Sequence, residues 1–394
     1  MSGWKAKLTL SLVVQSLILG LAMANTNGDS KFSSKLYGPL AKSNVNRNIV
    51  FSPASIRTGL TLAYLGAEGS TAGELKDGLG LEGADKIEVA QQVAKALKRD
   101  IPSSGETEDE AQLKVANRIY VAQKFQLAQA YQDLVSGNFA AVAENLNFSR
   151  SSEAARSINS WVEEQTHQQI KDLISPDSLD DDTAAILVNA IYFKADWQNS
   201  FPDYSTYARD FVNHGGQRVS VDTMSQSDYF SYGELSELGA KVLELPYFGT
   251  DIVFLVILPQ EEQGLASLEE KLNGLDLKDV RSRLQQLPKF KFEFDVPLQP
   301  VLEKLGIKQL FGPQADFSAL LSAPTPLHIS EVKHKAVIEV NEKGTTASGA
   351  TFVKAELESL VIGEQTVEFV ADHPFAFAIV GKESTLFLGH VSQL

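Results

Sequence analysis

The chain has 394 residues, with 35 Lys and Arg against 50 Asp and Glu, for a formal charge of −15. So acidic a chain lacks the cationic footprint that sequence-independent nucleic-acid binding requires. The absence of cysteine excludes a disulfide scaffold, thiolate-held metal centres and a thiol nucleophile. A composition of 43% hydrophobic and 22% charged residues is globular, and a chain of this length buries an adequate core without covalent staples.

Residues 1–24 read as a secretory signal. Lys5 and Lys7 give a positive start, Leu8 to Leu21 is mostly apolar, and Ala22-Met23-Ala24 fits a small-x-small cleavage site. The mature chain then begins at Asn25, carries a formal charge of −17 and is expected to be secreted, with no membrane association. One glycosylation sequon, Asn147-Phe148-Ser149, is present. Helical patterns follow over Pro53 to Ala67, with Ser52 as cap, and over Ser70 to Leu79, Lys86 to Leu97 and Ala128 to Phe139. The stretch Ile101 to Glu110 is the best linker candidate, but nothing marks a second boundary. It reads as a surface loop, leaving 25–394 as one domain.

From Ala184 the pattern changes to strands. Ile186 to Phe193 is nearly all apolar, as in a strand covered on both faces, and Leu243 to Tyr247 with Ile252 to Leu258 suggests two strands across a short turn. Lys289 to Phe294 alternates, with Phe290, Phe292 and Phe294 inward. A helix over Gln299 to Leu305 precedes strands at Ala336 to Val340, Phe375 to Val380 and Thr385 to Val391. Helices early and strands late argue for an α+β fold.

No enzyme site assembles from these residues. Gly78-Leu79-Gly80-Leu81-Glu82-Gly83 matches the dinucleotide fingerprint by letter, but a helix precedes it where a strand is required. The six histidines lack ligand spacing, and Asp180-Asp181-Asp182 reads as a solvated loop, so neither metal nor cofactor is expected. Lys95, Lys98 and Arg99 form a small basic cluster on one helix, too little on so acidic a protein for heparin-type polyanion binding. The informative segment runs from Glu342 to Glu368. It opens on Gly344-Thr345-Thr346-Ala347-Ser348-Gly349-Ala350-Thr351, all small and uncharged, and shows no clear element of its own. A segment of that length between strands is functional or disordered as a rule.

Across about 350 residues the chain resembles a serpin. The resemblance rests on Asn48-Ile49-Val50-Phe51-Ser52-Pro53, Asn117-Arg118-Ile119-Tyr120, Asn189-Ala190-Ile191-Tyr192-Phe193 through Trp197, and Glu244-Leu245-Pro246-Tyr247. It continues in His334-Lys335-Ala336, Glu342-Lys343-Gly344-Thr345, Ala371-Asp372-His373-Pro374-Phe375 and Leu386-Phe387-Leu388-Gly389. Ala195 stands where the family usually has glycine, and Lys343 and Thr346 where acidic residues are commoner. The resemblance implies three β-sheets with eight or nine helices and an exposed reactive loop at about 343–366. It implies a monomeric inhibitor, not an enzyme, that traps a serine protease as an acyl-enzyme while the cut loop enters the main sheet. Ser52, Ser55, Asn189 and His334 then form a polar cluster under the opening point, and Trp197 marks where insertion starts.

Strand alternation tests whether this loop can insert. From Thr345 the face Thr345, Ala347, Gly349, Thr351, Val353, Ala355, Leu357 is uncharged, whereas Lys354 and Glu356 lie on the other. Thr345 is expected to be solvated before cleavage and buried after it. A dozen added ladder residues, at ~0.5–1.5 kcal/mol per hydrogen bond, supply on the order of 10 kcal/mol. A carrier, chaperone or other binding module on the same fold is the competing reading, and has no reason to keep that face clean. Counting sixteen positions from Glu342, as inhibitory members do, reaches Glu358, with Ser359 following. Leu357–Glu358 and Leu360–Val361 are alternative scissile bonds, and Lys354–Ala355 ranks last.

Overall fold

The computed structural model describes residues 29–100, 111–139, 142–228, 230–235, 238–272, 286–345 and 368–394. Six helices come from the first half: α1 (Asp29–Ser43), α2 (Pro53–Gly66), α3 (Gly69–Gly78), α4 (Lys86–Asp100), α5 (Gln129–Phe139) and α6 (Ser151–Gln165). Two more, α7 (Leu265–Leu272) and α8 (Gln299–Lys304), follow later. At the start of α2 the Ser52 side chain accepts the Ser55 N–H, and Pro53 takes the first position, where no donor is needed. Every residue of α2 except Arg57 is buried, so this helix lies inside the molecule. The glycine-rich segment after α3 is a helix exit: Gly80 takes φ +58° and the Leu81 N–H returns to the Lys76 carbonyl at 2.9 Å.

Three sheets carry the rest. The first has the order β1 (Ile49–Phe51), β15 (Thr385–Val391), β14 (Phe375–Val380), β9 (Val253–Pro259), β8 (Ala240–Pro246), β7 (Ser231–Leu235). The second is small: β10 (Gln286–Pro288), β6 (Arg218–Ser225), β5 (Tyr207–Val212). The third runs β11 (Phe290–Pro297), β12 (Glu331–Val340), β13 (Gly344–Thr345), β4 (Ala185–Asp196), β2 (Gln112–Ala122), β3 (Val142–Leu146).

The apolar run in β4 is explained by its two covered faces. Leu187, Ile191 and Phe193 join the main core, while Ile186, Val188 and Ala190 pack in a second cluster with Ala154, Ile158 and Val162 of α6. β12 shows the other pattern, strict alternation with Val332, His334, Ala336, Ile338 and Val340 buried.

Candidate functional site: the seam between β4 and β12

β4 and β12 are parallel neighbours over only part of their length. Their ladder runs from Glu331 opposite Ile186 to Lys335 opposite Ala190. Beyond that point β13 enters between them, Gly344 pairing with Asp196 and Thr345 with both Ala195 and Val340. Val340 follows Ala195 by 145 positions, the offset at which Glu331 faces Ile186. The two strands therefore keep one register whether they touch each other or flank a third strand.

Under the closed part of the seam lies a polar cluster built from three adjacent strands and α2. Asn117 of β2, Asn189 of β4 and His334 of β12 stand side by side in the ladder. The His334 ring is wholly buried; burial lowers its pKa to about 3, so it is neutral. Nε2 accepts the Ser52 backbone N–H at 3.0 Å, and Nδ1–H donates to Asn189 Oδ1 at 2.6 Å, which selects the tautomer. Asn189 Nδ2 in turn faces the Ser55 carbonyl at 2.5 Å, the Ser55 hydroxyl at 2.7 Å and the Asn117 side-chain oxygen. Because His334 meets the amide of Ser52 and not its hydroxyl, which accepts from Ser55, this is no nucleophile–base pair. It is a buried bond across the seam.

The open end is held differently. Trp197 stacks on Tyr247 with ring centres 4.7 Å apart, and its Nε1–H donates to the Asn341 carbonyl at 2.9 Å. The backbone amides of Trp197 and Phe201 bind the carbonyls of Lys343 and Glu342. Burial draws the Glu342 carboxyl upward, but bonds from the Thr206 hydroxyl at 2.7 Å, its own backbone and Lys289 at 3.1 Å outweigh it and hold the pKa below the ordinary value. Gly344 has no alternative here, since a Cβ would collide with the Ala195 carbonyl.

The structure brings together Ser52, Ser55, Asn189 and His334 at the closed end, and Trp197, Glu342, Gly344 and Thr345 at the open end. It corrects one expectation. Thr345 is not solvated: it is 2% exposed, and its hydroxyl is bonded to the Tyr247 hydroxyl at 2.6 Å. Gly344 is buried as well, so residues 344 and 345, expected in the exposed loop at about 343–366, stand in the sheet. Ala347, Gly349, Ala350, Thr351, Leu357, Glu358, Ser359 and Leu360 lie outside the described residues. Sequence reasoning missed Asn117 and Tyr247 as members of the site, although both stand in motifs that carry the resemblance. Asn147 is exposed at the end of β3, with its Oδ1 accepting the Ser149 N–H at 3.2 Å. Among the described residues no group of His, Asp or Glu is placed to hold a metal, and no helix is long and apolar enough to cross a membrane.

The family model described as Serpin (serine protease inhibitor) matches residues 27–394. The chain belongs to the serpin family. It is 41% identical over 360 residues to "Serine protease inhibitor 42Dd" of Drosophila melanogaster, covering 91% of this chain and 95% of that one. It is 37% identical over 391 residues to the "Leukocyte elastase inhibitor" of Bos taurus, covering 95% and 99%. Among solved structures, cleaved Serpin 42Da superposes with a TM-score of 0.82 at 37% identity, covering 93% of this chain and 97% of that one. Three sheets and eight helices among the described residues are the serpin fold, and this serpin belongs with named protease inhibitors, not with enzymes.

Proposed function

We propose that this serpin is a secreted suicide substrate that traps a serine endopeptidase as an acyl-enzyme by drawing its cut loop into the β4–β12 seam. The observation that carries the reading is the shared offset of 145 across the seam, together with a first inserted pair already in place at Thr345. Extending the Thr345 register sets Ala347 between Phe193 and Ile338, Gly349 between Ile191 and Ala336, and Val353 between Leu187 and Val332. Each of those strand residues faces the main core, which suits the uncharged face of the loop. Thr351 arrives between Asn189 and His334. Its hydroxyl can both donate and accept, so it replaces the bond that the opening strands must give up.

Residues 25–394 act as one domain in this reading, with residues 1–24 removed on secretion and sugar carried at Asn147. The protease cuts at Glu358–Ser359, with Leu357–Glu358 and Leu360–Val361 as the alternatives that suit elastase- or chymotrypsin-like pockets. The test is incubation with elastase-, chymotrypsin-, trypsin- and glutamate-specific serine proteases, followed by a denaturing gel. A band at the summed mass with one of them, and a released C-terminal fragment beginning at Ser359 or at a flanking alternative, is expected. Cleavage in the loop with no covalent band from any of them would show a binding module instead.

A further inference from the structure

Helix α4 ends on Asp100, whose side chain is 3% exposed. One carboxyl oxygen, Oδ1, accepts the Glu383 backbone N–H at 2.9 Å in the turn joining β14 to β15, and the Ser384 side chain is bonded to the carboxyl as well. The other oxygen, Oδ2, is buried without any hydrogen-bond partner. Gly381, whose N–H closes the turn on the Ser384 carbonyl at 2.9 Å, presses so closely that a Cβ there would collide with the carboxyl. The carboxyl is thus pinned against a backbone turn and cannot swing out to water.

The charges around it are of the wrong sign to hold an anion. Asp29 of α1 and Glu383 of the turn both raise the Asp100 pKa. Three nearby cations are bonded to other groups, Arg99 to Glu383, Arg57 of α2 to the carbonyls of Leu79 and Gly80, and Lys382 to Asp251, and Lys95 and Lys98 are the other cations in the last turns of α4. A cavity of about 300 Å³ is bordered by Asp29, Arg57, Glu82, Lys95, Arg99 and Ser384, and gives solvent protons a path to this corner. An unpartnered buried oxygen beside two acids is a poor design for an ionised group and a tolerable one for a neutral carboxyl.

We propose that Asp100 is a proton-operated latch, fastening the end of α4 to the β14–β15 turn in mild acid and loosening it at neutral pH. Burial, which outweighs the two hydrogen bonds, raises its pKa to about 6. A carboxyl whose pKa is raised on folding gives the closed state its full stabilisation below the unfolded-state value and loses it as pH rises from there through the closed-state value. Between an unfolded-state pKa near 3.9 and a closed-state value near 6, the closing equilibrium at pH 5 exceeds that at pH 7.5 by about tenfold.

The test measures exchange protection of the Glu383 amide in the full chain at pH 5 and pH 7.5, corrected for intrinsic exchange, beside melting curves of the parent and Asp100→Asn. The variant keeps the acceptor for Glu383 and removes the charge. The expected results are roughly tenfold greater protection at pH 5 in the parent, no pH effect in the variant, and a variant whose melting advantage over the parent at pH 7.5 narrows at pH 5. The destabilisation that His334 brings in acid is common to both proteins and cancels in their difference. Equal parent protection at both pH values, or a melting difference that does not change with pH, overturns the latch. If the variant does not fold, the parent exchange data decide alone.

Discussion

Replacing Thr345 with arginine separates the seated hinge from a free one. In the parent, Thr345 is paired on both sides and its hydroxyl bonds to that of Tyr247, a phenol kept protonated because burial pushes its pKa upward. An arginine cannot stay there without burying an unpaired charge, at a cost of several kcal/mol. The hinge is therefore expected to leave the seam before any cleavage. Leaving gives up ladder bonds on two sides, at ~0.5–1.5 kcal/mol each, and strands the Tyr247 hydroxyl at ~1–3 kcal/mol. The uncut Thr345→Arg protein should thus lose roughly 2–5 kcal/mol of stability. After cleavage the same arginine opposes insertion, so deacylation wins and the variant is consumed as a substrate. Thr345→Val is the partner experiment: it keeps the strand and loses only the hydroxyl bond, so it should cost ~1–3 kcal/mol yet still trap protease. Denaturant melts give the stabilities, and denaturing gels with a loop-cleaving protease give the ratio of complex to cleaved chain. If Thr345→Arg forms as much complex as the parent, residue 345 does not enter the sheet and the seam account fails.

Gly344→Val should expel the hinge by steric collision with the Ala195 carbonyl, visible as a lower melting temperature and a rise in cleaved over complexed product. For His334 the lowered pKa means the unfolded state takes up the proton first. Its contribution is complete above about pH 6.5 and falls as pH drops toward 3, by about 2 kcal/mol at pH 5. His334→Gln should lack this pH-dependent part, so the gap between parent and variant melts narrows in acid. Mass spectrometry of secreted protein should give an N-terminus at Asn25 and glycan, where present, at Asn147; an intact Met1 on secreted material would contradict the signal reading.

Elements whose local pattern agrees with their burial were legible in the sequence: the apolar run of β4, the capped start of α2 and the closing strands β14 and β15. Others were hidden by conflicts between levels. In α1, Phe32, Leu36 and Leu40 are spaced for one buried face, but Pro39 interrupts the reading and only tertiary packing makes the helix continuous. β5 exposes four successive residues, Tyr207 to Asp210, and offers no alternation to detect. For the site, motif resemblance found the polar residues, and strand periodicity found the inward face of the hinge. Neither could show that Thr345 is already seated, because that depends on where β4 and β12 part, a property of two strands far apart in sequence. Asn117 and Tyr247 were unreadable as site members for the same reason: each acts through a partner more than seventy residues away.

Insertion itself is most directly tested by cutting the loop with a protease and comparing the thermal unfolding of cut and uncut chain, without any requirement for trapping. About 10 kcal/mol from the new ladder corresponds to a rise of roughly 20 °C in melting temperature. The account predicts a rise of that order, abolished in Thr345→Arg. A cut chain that melts where the uncut chain does would contradict it.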